Sequence, residues 1–137
     1  MSKSKRDFGL FALPVLRIGV SALMMIHGIS KLEKLVSGDP IKFYNFFGLG
    51  AEISLILAVI GELLAPIMII IGFQTRFSAL IAAVTMAVAA FGAHAGDSLE
   101  DREHSLLYLV AFIAITLAGA GRWSLDNYFS GRKPLKK

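Results

Sequence analysis

The chain has 137 residues, which is the size of one domain, and it contains too little polar sequence for a second one. Hydrophobic residues make up 55% of it and charged residues only 18%, whereas about a quarter of a typical soluble domain is charged, so a lipid bilayer is the expected solvent. Because the chain has no cysteine, disulfides, thiol catalysis, iron–sulfur clusters and thioether-linked haem are excluded for this chain alone.

Four apolar segments are predicted to cross the membrane as helices, and together they predict one all-α domain over residues 1–137, an integral membrane four-helix bundle. They cover residues 8–32, 52–73, 77–95 and 104–121. Runs of this length match a hydrocarbon core of about 30 Å. A fifth, short segment over residues 41–49 is rich in Phe and Tyr, which indicates either a simple aromatic belt at the interface or a lid over a lipid-side pocket.

The basic residues are distributed unevenly between the predicted connections. Nine lie on the side of the two termini (Lys3, Lys5, Arg6, Arg76, Arg122, Arg132, Lys133, Lys136 and Lys137), and four lie on the opposite side (Lys31, Lys34, Lys42 and Arg102). The positive-inside rule therefore predicts that both termini are cytoplasmic. Since these residues form no continuous stripe, the formal charge of +4 does not indicate a nucleic-acid partner.

Two ionisable residues fall near the middle of predicted helices. Arg17 heads a helix face that continues through Ser21 to Lys31, and an arginine in hydrocarbon costs at least about 2.5–3.5 kcal/mol, so it is expected to face protein. Glu62 is the only internal charge of the second helix, and Pro66 is expected to kink that helix by leaving the Glu62 carbonyl without a donor. We therefore predict an Arg17–Glu62 ion pair, which either fixes helix register or serves as a proton-carrying or ligand-anchoring group.

A second group of titratable residues is predicted at the opposite mouth of the bundle. His27 and Lys31 end the first helix, His94 ends the third, and Glu103 and Tyr108 open the fourth. The alternative is that these charges simply extend to the lipid headgroups and that the histidines are packed core residues. No metal site is predicted because the spacing fits no standard ligand pattern, although His94 and His104 would be its candidates. Two histidines, His27 and His94, are also too little to predict a b-type haem.

Several motifs in order resemble the DoxX family. They are Arg17, His27-Gly28 and Lys31 in the first helix, Glu62 and the Gly72-Phe73-Gln74-Thr75-Arg76 turn, His94, and the run from Gly119 to Asp126. The resemblance covers residues 10–127. It implies a four-helix protein of the prokaryotic cytoplasmic (inner) membrane, multi-pass, associated with redox systems that include membrane subunits of a thiosulfate:quinone oxidoreductase and oxidative-stress complexes. It places Arg17, His27, Lys31, Glu62 and His94 at the polar positions of the family.

The leading hypothesis is a membrane subunit of a quinone-linked oxidoreductase or oxidative-stress redox system, working with a soluble or membrane redox partner. Quinone reduction needs an apolar slot, hydrogen-bond donors and proton carriers. The ligand-binding or proton-relay candidates are Arg17, His27, Lys31, Glu62, His94, Glu103 and Tyr108. Two alternatives stay open: a small-solute or proton-coupled transporter built as a homo-oligomer around the Arg17–Glu62 pair, and an assembly subunit without chemistry of its own.

Overall fold

The protein is all-α over the part that the structure, a computed structural model, describes: the backbone of residues 3–131 and the side chains of residues 8–131. No strand occurs within these residues, so the all-α prediction is confirmed. The helices are α1 (Lys3–Val36), α2 (Ala51–Ile71), α3 (Thr75–Ala93), α4 (Leu99–Ala118) and α5 (Leu125–Phe129). One turn of 3₁₀ helix, Phe46–Gly48, lies in the predicted aromatic segment.

Three helices are long and apolar enough to cross a membrane: α1 from Phe8 onward, α2 and α3. Their outward faces carry exposed apolar side chains such as Val15 and Val84, which suits a lipid environment. The fourth crossing stays a prediction because the first turn of α4 is charged, from Glu100 to Glu103. The terminal basic side chains used for the orientation, those of Lys3, Lys5, Arg6, Arg132, Lys133, Lys136 and Lys137, lie outside the described side chains.

The four long helices alternate in direction. Arg17 of α1 contacts Ile70 at the end of α2 and Ala120 just after α4, whereas His27, about 15 Å further along α1, contacts His104 in the second turn of α4. We call the end with Arg17 the basic end and the end with His27 the histidine end. Although it is not counted among the apolar spans, α4 therefore extends between the same two levels as α1.

The core is built from small residues of α3 and larger ones of its neighbours. Ala79 and Ala82 are buried against Phe112 and Ile115 of α4, and Met24 of α1 completes this cluster. Because alanine keeps the helix surface low, α3 and α4 can approach closely along most of their length. This packing fixes the levels of the polar side chains that α1 and α4 present to each other.

The middle of α2 is a π-helical turn, Ile60–Leu64, directly before Pro66. The irregularity predicted at Pro66 therefore takes the form of a widened turn. A Cβ on Gly28 of α1 would collide with the Glu62 carbonyl, and one on Gly61 would collide with the Thr85 side chain of α3. These two glycines allow the π turn to pack between α1 and α3, which places Glu62 inside the bundle.

Candidate functional site

Arg17 is only 2% exposed, but it does not contact Glu62. Its guanidinium donates hydrogen bonds to three backbone carbonyls: Ala120, Trp123 at 2.5 Å and Ile70 at 3.5 Å. The predicted Arg17–Glu62 pair is therefore wrong. The reason is one of depth: the first part of α1 extends beyond the ends of α2 and α4, so Arg17 is level with Ile70 and Ala120 and not with the middle of α2.

Asp126 completes the basic end. Its carboxylate accepts the backbone N–H groups of Gln74 at 2.7 Å and Thr75 at 2.8 Å, and its own N–H donates to the Gly72 carbonyl. Partial burial would raise the pKa of Asp126, but these hydrogen bonds and the charge of Arg17 outweigh it and hold the pKa below its ordinary value. Arg17 and Asp126 together tie the α2–α3 turn to the chain that follows α4.

Glu62 pairs instead with Lys31, one turn beyond Gly28 on α1. The side chain of Glu62 is 5% exposed and that of Lys31 is 26% exposed, so the carboxylate is enclosed while the ammonium retains some access to the outside. Either charge alone at this depth would be strongly unfavourable, since the lost hydration is repaid only by the partner. The pair lies about 21 Å along α1 from Arg17.

Three histidines and a tyrosine lie next to this pair at the histidine end. The rings of His27 and His104 stack at 5.9 Å between centroids, and Tyr108 packs edge-on against His27 at 6.0 Å. His94 lies 6.5 Å from His104 and bonds its Nδ1 to a carboxylate oxygen of Asp97 at 2.6 Å. The predicted convergence of α1, α3 and α4 side chains at this mouth is thus present, with His104 at its centre.

The Lys31–Glu62 pair separates two cavities. On one side is a polar space of about 60 Å³, the histidine cavity, bordered by His27, His104, Ser105 and Tyr108. On the other is an apolar cavity of about 450 Å³ between α2 and α3. The walls common to both are Lys31, Glu62, Ala89 and His94. A ligand in the apolar cavity would therefore meet charge and hydrogen-bond donors at this one end.

A second π turn, Ala89–Ala93, ends α3 immediately before His94. The first π turn contributes Glu62, so each of the two helices that line the apolar cavity is irregular where it reaches the ion pair. A π turn widens the backbone by one residue and re-aims the side chains around it, and such turns are common at functional sites. The irregular backbone is concentrated where the two cavities meet.

The aromatic segment covers the apolar cavity. Phe43, Tyr44 and Phe46 line its outer end. Buried Ser54 of α2 holds the segment in place, since its hydroxyl accepts the Phe46 N–H at 2.9 Å. The Tyr44 hydroxyl lies against Gly92, where an added Cβ would be 2.9 Å from it. The position of the segment against the cavity favours the interpretation as a lid over that of a simple aromatic belt at the interface.

Glu103 does not join the other candidates. It is exposed and borders a groove on the outer surface of α4 with Leu106, Leu107 and Val110. Of the seven predicted site residues, Lys31, Glu62, His27, His94 and Tyr108 are therefore brought together, Arg17 lies at the opposite end, and Glu103 faces outward. Within the described residues, no group of three His, Cys, Asp or Glu side chains is arranged to hold a metal ion.

Comparison with known proteins identifies the family. The family model described as DoxX matches residues 12–95, which is more than half of the chain. The chain belongs to the DoxX family. The matched stretch contains Arg17, the aromatic segment and the Lys31–Glu62 pair, and it ends one residue after His94.

Two similar proteins, both from Haemophilus influenzae (strain ATCC 51907 / DSM 11121 / KW20 / Rd), are described as uncharacterized. One is 31% identical over 126 residues, covering 87% of this chain and 91% of its own length. The other is 34% identical over 90 residues, covering 63% of this chain and 60% of its own length. No solved structure matches the chain. Membership of the DoxX family thus establishes the protein class, while the function has to be argued from the site.

Three residues of this DoxX protein's site were not among the predicted ones. Tyr44 and Thr85 line the apolar cavity, and Asp126 holds the basic end together. The only sequence signal for Thr85 is indirect, because Gly61 leaves the space that its side chain fills. Asp126 stands at the end of the Gly119–Asp126 motif, so it was visible as a motif residue but had no assigned partner.

Proposed function

We propose that this DoxX protein is a multi-pass protein of the prokaryotic inner membrane that binds a quinone, or a similar small apolar ligand with a carbonyl-bearing head, in the apolar cavity. It would serve there as the membrane subunit of a redox system. The observation that carries the proposal is the Lys31–Glu62 pair at the junction of an apolar cavity and a polar one. Both termini are proposed to be cytoplasmic and α4 to be the fourth crossing, in line with the positive-inside rule.

The size and lining of the apolar cavity support this class of ligand. Its volume of about 450 Å³ lies within the usual range for small-molecule sites, about 300–1,000 Å³. Along most of its length the wall is aliphatic, from Leu57 of α2 to Leu80 and Val84 of α3. Leu57, Leu80 and Val84 are also exposed on the outer surface, so an isoprenoid or acyl tail can leave the cavity sideways into lipid.

The polar end of the cavity supports a hydrogen-bonding head group. The Lys31 ammonium donates hydrogen bonds and has no acceptor atom, while His94 and the Tyr44 hydroxyl offer further donors at the same end. A carbonyl oxygen placed there would receive a charge-assisted hydrogen bond, which is stronger than one between neutral groups. A purely aliphatic lipid would leave these donors unused, so the lining favours a ligand with an acceptor at its head.

The histidine cavity offers a route for protons to this head group. Its volume of about 60 Å³ is enough for a few water molecules, since one needs about 10–15 Å³. His27 and His104 border it and are exposed at the histidine end, and a neutral imidazole can donate a hydrogen bond from one ring nitrogen and accept one at the other. We therefore propose that protons reach the Lys31–Glu62 pair from this end, through His27, His104 and water admitted to the histidine cavity.

Calorimetric titration of the purified protein in detergent with a short-chain quinone analogue tests the binding. Wild type is expected to bind. Glu62→Gln and His94→Ala are each expected to raise the dissociation constant by about tenfold or more, which is the effect of losing a hydrogen bond that involves a charged group. Glu52→Gln is the matched control, because Glu52 is an exposed carboxylate on the same helix that lines neither cavity. Its affinity should equal that of wild type.

Two results would contradict the proposal: no binding by wild type, or equal binding by wild type and both variants. Mass spectrometry of the lipids that remain with the protein after purification provides an independent check, in which a co-purified quinone is expected. The transport alternative depended on a midplane Arg17–Glu62 site, and the separate positions of these residues remove its structural basis. The assembly-subunit alternative is the outcome in which no ligand binds but partner association depends on Glu62.

A further inference from the structure

We propose that the basic end contains a second binding site, independent of the apolar cavity, for the phosphate group of an anionic amphiphile. The site is an open polar cavity of about 600 Å³ between the first turn of α3 and the chain that follows α4. Arg76 lies on one wall and Arg122 on the other, and the neutral polar side chains of the lining are Gln74, Thr75, Asn127 and Ser130. Guanidinium groups suit this ligand because their donors match the oxygens of a phosphate.

The charge balance of this cavity leaves both arginines available. Asp126 is the only carboxylate among the described side chains of its lining, and that carboxylate already accepts two backbone N–H groups and lies beside the buried charge of Arg17. Among the residues whose side chains the structure describes, neither Arg76 nor Arg122 has a carboxylate oxygen within 4.0 Å. The cavity therefore carries a net positive charge with no partner in this part of the chain.

Both walls of the cavity are fixed by contacts inside the protein. The Arg76 guanidinium lies against the backbone of Gly119, where an added Cβ would be 3.0 Å from Nε and 3.3 Å from Nη2. Gly119 has a φ of +83°, which glycine adopts readily and other residues rarely do. The next residue, Ala120, is held through its carbonyl by Arg17. The backbone on both sides of the cavity is therefore held in place before a phosphate enters.

The surroundings favour a phospholipid headgroup as the source of the phosphate. Large aromatic side chains around the cavity are exposed: Phe77 by 62%, Trp123 by 63%, Tyr128 by 78% and Phe129 by 68%. Tryptophan and tyrosine are enriched where a protein meets the headgroup region of a bilayer, and basic side chains attract anionic lipids there. A free phosphate ion would gain nothing from these apolar rings.

Trp123 is the only tryptophan of the chain and adjoins Arg122, so it can report lipid binding directly. The full-length protein is reconstituted in phosphatidylcholine vesicles that contain increasing fractions of a brominated lipid, which quenches tryptophan fluorescence on contact. Brominated phosphatidylglycerol is expected to quench at a lower mole fraction than brominated phosphatidylcholine, by about fivefold for each arginine engaged. Arg76→Gln combined with Arg122→Gln should remove this preference.

The matched control is Arg102→Gln combined with Lys42→Gln, which removes the same charge at the histidine end. It should keep the preference. Arg122→Gln alone, which removes an exposed side chain, should reduce the preference even if the double variant folds poorly. Equal quenching by both lipids in wild type, or an unchanged preference in Arg122→Gln and in the folded double variant, would overturn the proposal.

Inorganic phosphate distinguishes the two sources of the ligand. If it abolishes the preference while chloride of equal ionic strength does not, the site accepts the phosphate group from either source. If the preference persists in inorganic phosphate, the site accepts the headgroup only as part of a lipid. Both results support a phosphate site, and neither depends on the quinone-binding experiment.

Discussion

The two ends of the bundle each bury a charge from α1, but they satisfy it in different ways. At the basic end Arg17 donates to backbone carbonyls from two other parts of the chain, and its side chain lines neither the apolar cavity, nor the histidine cavity, nor the phosphate site proposed above. At the histidine end Lys31 bonds a single carboxylate that borders two cavities. The first arrangement holds chain segments together, whereas the second presents its charges to whatever occupies the cavities.

The kind of hydrogen-bond partner distinguishes a structural buried charge from a candidate functional one more clearly than the degree of burial does. Arg17 and Glu62 are almost equally buried, at 2% and 4% exposure, so burial alone would rank them together. Backbone carbonyls cannot change protonation and cannot leave, so a guanidinium bonded to them is fixed in place. A carboxylate paired with an ammonium can exchange its partner or its proton, and this supports the proposal that the ligand binds at the histidine end.

The largest expected effect is at Arg17. Arg17→Met leaves three buried carbonyl contacts unmade, and we expect the free energy of unfolding to fall by about 3–5 kcal/mol, the range found when one member of a buried charged contact is removed. Thermal unfolding followed by circular dichroism in detergent measures this. Arg102→Met, at a half-buried position, is the control. If both variants melt at the same temperature, Arg17 is not the clamp described above.

The ion pair should behave differently when both partners are replaced. Lys31→Met or Glu62→Leu alone is expected to lower the free energy of unfolding by about 2–3 kcal/mol, somewhat less than for a fully buried pair because Lys31 is partly exposed. The double variant should recover more than half of this loss, since no unpaired charge remains, but it should not bind the quinone analogue. If the double variant loses as much stability as the two single variants together, the pair is a structural contact like that of Arg17, and this account is wrong.

A smaller effect is expected where α1 meets the π turn. Gly28→Ala adds a Cβ that collides with the Glu62 carbonyl, and we expect a loss of about 1–2 kcal/mol from overpacking, with weaker quinone binding because the pair is displaced. Gly19→Ala on the same helix is the matched control: nothing lies within 4 Å of its added Cβ, so it should be neutral or slightly stabilising. Equal melting of the two variants would show that α1 is not in close contact with the π turn.

The smallest effect concerns Asp126. Asp126→Asn is expected to cost about 1 kcal/mol at neutral pH, comparable to the loss of a helix cap. Because the pKa of Asp126 is lower in the folded protein, its charged form stabilises the fold above the ordinary carboxyl pKa, and this contribution disappears as the pH falls through the lowered value. Melting temperatures of wild type and variant should therefore converge on acidification. A difference that is constant with pH would contradict this account.

Much of the helical framework followed from the sequence, and so did the residues of the histidine end. Predicted segments 52–73 and 77–95 differ by one or two residues at each end from α2 and α3, because apolar runs bounded by glycine turns define them well. His27, Lys31 and His94 could be placed at one mouth by alternating the direction of successive helices. This placement needs only the approximate position of each residue along its helix, since the side chains at the histidine end are spread over more than one helical turn.

The pairing of charges could not be predicted in the same way. Assigning Arg17 to Glu62 required depth within a few ångströms, and the prediction took residue 8 of α1 as level with the end of α2. In the structure Arg17 itself is level with that end, so α1 is offset along its axis by more than a helical turn. Its actual partners are carbonyls, and a carbonyl carries no residue-specific signal. Glu103 was misplaced for another reason: a helix of charged residues at a loop can face either way, and only the packing of Ser105 and Phe112 against the core decided which.

The π turn of α2 has a consequence for how the helix divides its surface. One extra residue per turn shifts the helical phase by about 100°, so the stripe of residues that faces inward before Ile60 is not continued by the same stripe after Leu64. The first half directs Ser54 and Ala58 to the apolar cavity, while the second half directs Ala65 and Ile69 into the core. If the same residues formed a regular α-helical turn, these two surfaces would fall on one face of the helix, and α2 could then no longer line the cavity and seal the core at once.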